Sequence, residues 1–337
     1  MVTLRIKLFG RFSAERGGRS LEGLKSGKVQ ELFSYLLIHR SRSHPRESLA
    51  SLLWSNSTTV ASKKFLRQAF WQLQSALEHG RRRTEVPVLL LEPEWVRVNP
   101  KAELHLDVAE LEAAFARVQG IPGHKVEGRQ AADLKRAVGL YSGDLLDGCY
   151  HDWCLLERER LQAILVAGLD KLIGYCQKHG EYEAGMAYGF RILSLDRARE
   201  RTHRGLMKLQ CLAGDRIGAL RQYDACRRAL HEELGVKPSR RTEALHQQIQ
   251  DDDLGGFKTL STETLQVSAR DRLSTASPDL RQALAVLQDL RGLAQRAIQA
   301  IDRALRSERH GSPSDGPAST PKSAAGRPNS RSGEIAL

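Results

Sequence analysis

Between Lys63 and Ser75 the sequence collects the side chains that read duplex DNA, at helical spacing and with no carboxylate until Glu78. Drawn as a helix, Lys64, Arg67, Gln68, Trp71 and Ser75 share one side, flanked by Lys63 and Gln74. A guanidinium forks onto guanine and a carboxamide onto adenine, while ammonium groups neutralise phosphates. Arg67 and Gln68, in mid-helix, are therefore the candidates for base edges. Lys63, Lys64 and Ser75 are placed on phosphates, and Trp71 on a sugar or a thymine methyl. A solvated helix face that does nothing usually mixes both signs of charge, and this one does not. Arg46 opens a preceding helix, where backbone N–H groups also favour a phosphate. Arg97 lies in a hairpin further on, and Arg81-Arg82-Arg83 reads equally well as a solvated loop.

Other chemistry finds little support. Gly23-Leu24-Lys25-Ser26-Gly27-Lys28 has three residues between its glycines and no following hydroxyl, so it fails as a phosphate loop. G-x-S-x-G, H-E-x-x-H and a dinucleotide fingerprint are missing, and catalysis, cofactors and bound metal are not expected. Cys149, His151 and Cys154 are close in sequence, and Cys176 and His179 are spaced as a helical pair, but no C-x-x-C occurs. Five scattered cysteines suit reduced, packed thiols in a cytoplasm.

The elements that must position the DNA-facing side chains can be drawn from periodicity. Within 58–79, Ser62, Leu66, Ala69, Phe70, Leu73 and Leu77 form the opposite, apolar face. Before it, VTLRIKLF (2–9) alternates as a half-exposed strand, and Phe12 begins a second strand closed by the turn Arg16-Gly17-Gly18-Arg19. A helix capped by Ser26 carries the stripe Val29, Leu32, Phe33, Leu36 and Leu37. A short one from Arg46 to Trp54 turns Leu49, Leu52, Leu53 and Trp54 inward. After it, VPVLLLEPEWVRV (86–98) reads as a hairpin about Glu92-Pro93-Glu94. Strands, three helices and a hairpin are the order of a winged helix with an extra N-terminal sheet.

From Leu106 the pattern becomes helical. Asp107 is read as the cap of a helix over 107–118, with further helices over 130–141, 152–162 and on to about Gln177. Gly180-Glu181-Tyr182 and Gly214-Asp215-Arg216 stand 34 residues apart, each opening a helix with small residues, which is the tetratricopeptide period. Beyond Asp251-Asp252-Asp253 a Gly/Ser/Thr-rich linker leads to Ser277-Pro278 and a helix over 278–306 with a heptad seam. That helix either packs on the repeat domain or pairs with a second copy. From Gly311 the composition predicts disorder.

At 337 residues, with 41% hydrophobic and 27% charged side chains, the chain suits a globular protein of about two domains. Its apolar runs are too short to span a bilayer, and its start lacks a signal-peptide core, so a cytoplasmic location without membrane contact is expected. The formal charge is +12, and residues 1–110 hold 18 basic against 11 acidic side chains. That concentration points to a polyanionic partner for the first domain.

Residues 1–107 resemble the response-regulator type of winged helix, in the variant of the Streptomyces antibiotic regulatory protein (SARP) family of activators. The likeness rests on LRIKLFGRF (4–12), KVQELFSYLLIHR (28–40), RESLASLLW (46–54), LRQAFWQLQSAL (66–77) and the hairpin end Trp95-Val96-Arg97-Val98. Where many relatives begin the recognition helix with Arg-Asn, this chain has Val60-Ala61-Ser62-Lys63-Lys64. Residues 108–250 resemble the family's bacterial transcriptional activator domain through LYSGDLL (140–146), DWCLLERERL (152–161) and YDACRRALHEELGVKPSRRTEAL (223–245). The resemblance implies binding to direct repeats near a promoter and contact with RNA polymerase.

The expected fold is mainly α with a small β component. A winged helix-turn-helix (α+β) over 1–107 precedes an all-α, tetratricopeptide-like repeat domain over 108–250. A linker and amphipathic helix over 251–310 and a disordered tail over 311–337 follow. The expected function is a sequence-specific, nucleoid-associated transcription regulator, most plainly an activator, with double-stranded DNA and RNA polymerase as partners. Homo-oligomerisation would use the repeat domain or helix 278–306. Two other classes compete: a repeat-based protein adaptor, and a ligand or redox sensor with secondary DNA contact.

Overall fold

Alternation at the N-terminus produces the first strand, β1 (Leu4–Lys7), with Leu4 and Ile6 buried and Arg5 and Lys7 exposed. The computed structural model describes residues 4–24, 26–79, 81 and 85–251; the linker, helix 278–306 and tail expected from the sequence lie outside them. β1 pairs antiparallel with β2 (Ser13–Arg16), which turns into β3 (Arg19–Ser20). Gly17 and Gly18 take φ of 57° and 78°, a pair of left-handed positions that only such a tight turn needs.

Helix α1 (Gly27–Ile38) buries the stripe Val29, Leu32, Phe33, Leu36 and Leu37. Next come β4 (His44–Pro45), α2 (Arg46–Leu53) and α3 (Thr59–Glu78). The hairpin of β5 (Leu89–Leu91) and β6 (Trp95–Val98) follows, and β4 joins β6, making a three-stranded sheet in the order β4-β6-β5. Asn99 fixes the base of this hairpin, donating from its amide to Pro87 O at 2.8 Å and from its backbone to Val88 O at 2.8 Å.

Several local expectations need correction. Leu52 and Trp54 are only half-buried. His44-Pro45, between the first two helices, forms a short strand. Another strand, β7 (Leu104–Leu106), runs parallel to β1 and completes the order β3-β2-β1-β7. Asp107 does not act as a cap: α4 (Asp107–Ala116) has Leu106 at its cap position. The buried Asp107 carboxylate accepts instead from the backbone of Leu8 (2.8 Å), Phe9 (2.9 Å) and Val108 (2.7 Å).

α5 (Gly128–Gly139) precedes one unbroken helix, α6 (Asp152–His179), in place of a break near 162. Then follow α7 (Tyr182–Leu195), α8 (Glu200–Leu212), α9 (Arg216–Leu234) and α10 (Arg240–Gln250). The 34-residue period is structural. Gly180 and Gly214 both take left-handed φ, 73° and 86°, after α6 and α8. Glu181 N donates to Cys176 O at 3.0 Å, and Asp215 N to Gln210 O at 2.8 Å, equivalent bonds one period apart. Small residues seat α7 on α8. A Cβ placed on Gly189 would lie 2.5 Å from Leu206 Cδ2 and 2.8 Å from its Cγ. Gly189→Ala should therefore lower stability by about 1 kcal/mol net, because overpacking costs about 1–3 kcal/mol and helix propensity returns about 1. A fall in the urea midpoint would report it.

The two halves are joined backbone to backbone. Gly10 N donates to Asp144 O (2.7 Å), Leu146 N to Leu8 O (2.9 Å) and Asp147 N to Gly10 O (2.9 Å). Phe9 packs on Tyr141 with ring centroids 4.6 Å apart, and Tyr35 meets Trp153 edge-on at 5.2 Å. Trp153 Nε1 donates to the buried Glu31 carboxylate at 3.2 Å. Buried apolar side chains consequently run as one connected core from Leu4 to Leu209.

Candidate nucleic-acid interface

Helix α3 begins where Thr58 Oγ1 accepts from Ala61 N at 3.4 Å, and Ser62 Oγ folds back on Thr59 O at 3.0 Å. Its end is held from the N-terminal sheet: the buried Arg16 guanidinium donates to Leu77 O (2.7 Å) and His79 O (3.1 Å). Cations are favourable at a helix C-terminus, and here one also satisfies carbonyls that have no partner within the helix. Ser62, Leu66, Ala69, Phe70, Leu73, Ala76 and Leu77 are buried. Lys63, Lys64, Arg67, Gln68, Trp71, Gln74 and Ser75 are exposed, so the helix divides its faces as its periodicity predicts. Trp71 keeps 70% of its surface open, which leaves the indole uncovered by the hairpin.

The remaining candidates fall into two groups around this face. At the N-terminal end, Arg46, Glu47, Lys63, Arg67 and the hairpin residues Pro93 and Glu94 line a common recess. Arg46 N donates to Glu94 O at 2.9 Å, which fixes the tip of the hairpin against the start of α2. The Arg46 guanidinium stacks on Phe70 at 5.3 Å, and its Nε has no partner. Lys63 is not simply open to a phosphate, since its ammonium is bonded to the exposed Glu47 carboxylate. That bond holds the Glu47 carboxyl below its usual range. Arg97 points outward from β6, with Val96 and Val98 inward and Trp95 half-exposed beside it.

At the other end, Trp71 and Ser75 border a cleft whose opposite wall is the β2–β3 turn, including Arg19 and Ser20. Sequence reasoning missed Arg19 and Glu47 as parts of this surface. In the sequence Arg19 is legible only as a turn residue. Arg82 and Arg83 lie outside the described residues.

The sulfur and histidine pairs converge on no metal site. Among the described residues no group of three or more His, Cys, Asp or Glu side chains could hold a metal ion. All five thiols are free. The Cys154 thiol donates to Leu145 O at 3.8 Å; the proximity of the two thiols draws Cys149 down, while that proximity and burial push Cys154 far up. No helix among the described residues is long and apolar enough to cross a membrane.

Residues 106–250 match the family model of the bacterial transcriptional activator domain. The chain is 26% identical over 250 residues to the regulatory protein AfsR of Streptomyces coelicolor, covering 72% of this chain. The chain is thus similar to SARP-type transcriptional regulators, chiefly through the activator domain over residues 106–250. The match spans only 24% of the length of AfsR. EmbR of Mycobacterium tuberculosis, solved in complex with a low-affinity phosphopeptide, shares the fold of this chain. The TM-score is 0.59, over 80% of this chain and 72% of that one, at 19% identity.

Proposed function

We propose that this chain is a cytoplasmic, nucleoid-associated transcription activator that reads promoter DNA with α3. In this reading residues 1–107 hold the duplex and residues 108–250 contact RNA polymerase or a second copy of the chain. The observation that carries it is the open face of α3. Arg67, Gln68 and Trp71 are exposed on a helix whose other side is anchored in the core at both ends. Such a helix fits a major groove about 12 Å wide. Arg67 and Gln68 take the base edges, and Lys63, Lys64 and Ser75 take phosphates. Trp71 packs on a sugar or a thymine methyl. Arg46 and the hairpin residue Arg97 hold the flanking backbone. The transferred elements, direct repeats and polymerase contact, rest on the SARP likeness.

Mapping bound sites across the genome gives the operator, and two variants then test the roles. Arg67→Ala should cost about 1–3 kcal/mol at one base position and relax preference there. Lys64→Ala should weaken all duplexes alike and flatten the salt dependence by about one phosphate contact. Fluorescence anisotropy over a salt series separates the two outcomes. If both variants bind every duplex as the parent does, α3 is not the reading helix.

A further inference from the structure

The repeat domain has a second cationic feature, remote in sequence from α3 and using none of its residues. Helices α6, α8 and α10 border a cleft of about 640 Å³. This size is ordinary for a ligand site. Its floor is apolar and small, with Ile173 and Leu245 buried and Gly205 and Ala244 beside them. A Cβ on Gly205 would have only Ile173 Cγ2 within 4 Å, at 3.9 Å, so a bound backbone can come close there. Its rim carries Arg201, Arg204, Lys208 and Arg241 with the amides of Gln177 and Gln248. Arg204 is engaged by Glu200 at 3.4 Å and Thr242 Oγ1 at 3.0 Å. Asp170, the acid among the lining residues, is tied to Arg199 at 2.6 Å. Arg201 on α8 and Arg241 on α10 are exposed on adjoining walls.

Thr202 adds an independent sign. It lines the same cleft, is 2% exposed, and its Oγ1 has no hydrogen-bond partner. A buried hydroxyl left unpaired costs stability unless something else satisfies it. From these observations we infer that the α6–α8–α10 cleft binds an acidic peptide segment. Side-chain carboxylates would meet Arg201 and Arg241, and backbone groups would meet Thr202 and the glutamine amides. A cleft with an apolar floor and hydrogen-bonding, cationic walls suits an extended acidic chain. The inference goes beyond the DNA-reading role and stands without it.

The test uses the full chain and a fluorescein-labelled octapeptide of alternating Glu and Ala, with its Gln/Ala twin as control. Anisotropy should show the acidic peptide bound, weakening with salt, and the amide twin at least ~10-fold weaker. Arg201→Glu with Arg241→Glu should lower acidic-peptide affinity at least ~10-fold and leave duplex-DNA binding and the urea midpoint unchanged. Thr202→Val should weaken the peptide while the free chain keeps or gains stability; a merely structural hydroxyl would instead lower the midpoint. Equal binding of the two peptides, or parental affinity in the charge-reversed variant, would overturn the assignment. So would a single-stranded oligonucleotide whose binding, unlike the peptide's, is lost in that variant.

Discussion

Asp107→Ala should destabilise the folded chain by about 3–5 kcal/mol, the largest single loss expected outside the apolar core. The carboxylate is buried and gathers the backbone N–H groups of Leu8, Phe9 and Val108 at 2.7–2.9 Å. Burial pushes this carboxyl up, and the three donors pull it back toward the ionised form. Alanine would leave the Leu8 and Phe9 donors with no acceptor just beyond β1. Each such buried, unpaired group costs about 1–3 kcal/mol. The damage would spread, because Leu8, Phe9 and Gly10 are also the residues whose backbone bonds to Ser142, Asp144, Leu146 and Asp147. Urea unfolding should give a much lower midpoint, and hydrogen exchange should show early loss of protection at Leu8 and Phe9. Asp107→Asn, which keeps one accepting oxygen, should fall between the two. An unfolding free energy within about 0.5 kcal/mol of the parent's would mean that the clamp is dispensable.

Asp107 also shows where sequence reasoning stops. An Asp before VAELEAAF is a plausible cap by local chemistry, and nothing nearby reveals acceptors needed 99 residues upstream. The same limit hid β7: three residues, Leu104–Leu106, carry too little pattern to declare a strand, and their partner β1 is at the far end of the domain. His44-Pro45 becomes strand only because Val96 and Trp95 arrive beside it. By contrast, the faces of α3 were legible because seven buried positions repeat at helical spacing within one segment. The period from Gly180 to Gly214 was legible because a left-handed helix end asks for glycine at each turn. What depended on local periodicity could be read, and what depended on two distant segments meeting could not. The fused core follows the second rule. Glu31 and Trp153, like Phe9 and Tyr141, are unremarkable alone and meet only once α1 and β1 are docked on the helical half.

The same distinction governs the proposed DNA surface, where the sequence names the cations but not their restraints. Lys64→Glu with Arg67→Glu should reduce duplex binding by more than about 100-fold near physiological salt, since each reversal replaces an attraction with a repulsion against phosphate. Both side chains are exposed on α3, so the unfolding free energy from urea titration should change by no more than about 0.5 kcal/mol. Glu47 supplies the opposite sign. Its carboxylate holds Lys63 and places a negative charge at the N-terminal end of the reading face, beside Arg46 and Arg67. Glu47→Gln frees the Lys63 ammonium and removes that charge, so duplex affinity should rise several-fold and the salt dependence steepen by about one contact. The pair of results distinguishes a reading face from an incidental basic patch elsewhere. If the double reversal leaves binding intact, the DNA lies on another surface. If the reversal abolishes binding but Glu47→Gln also weakens it, Glu47 is instead holding Lys63 in the position that a phosphate requires.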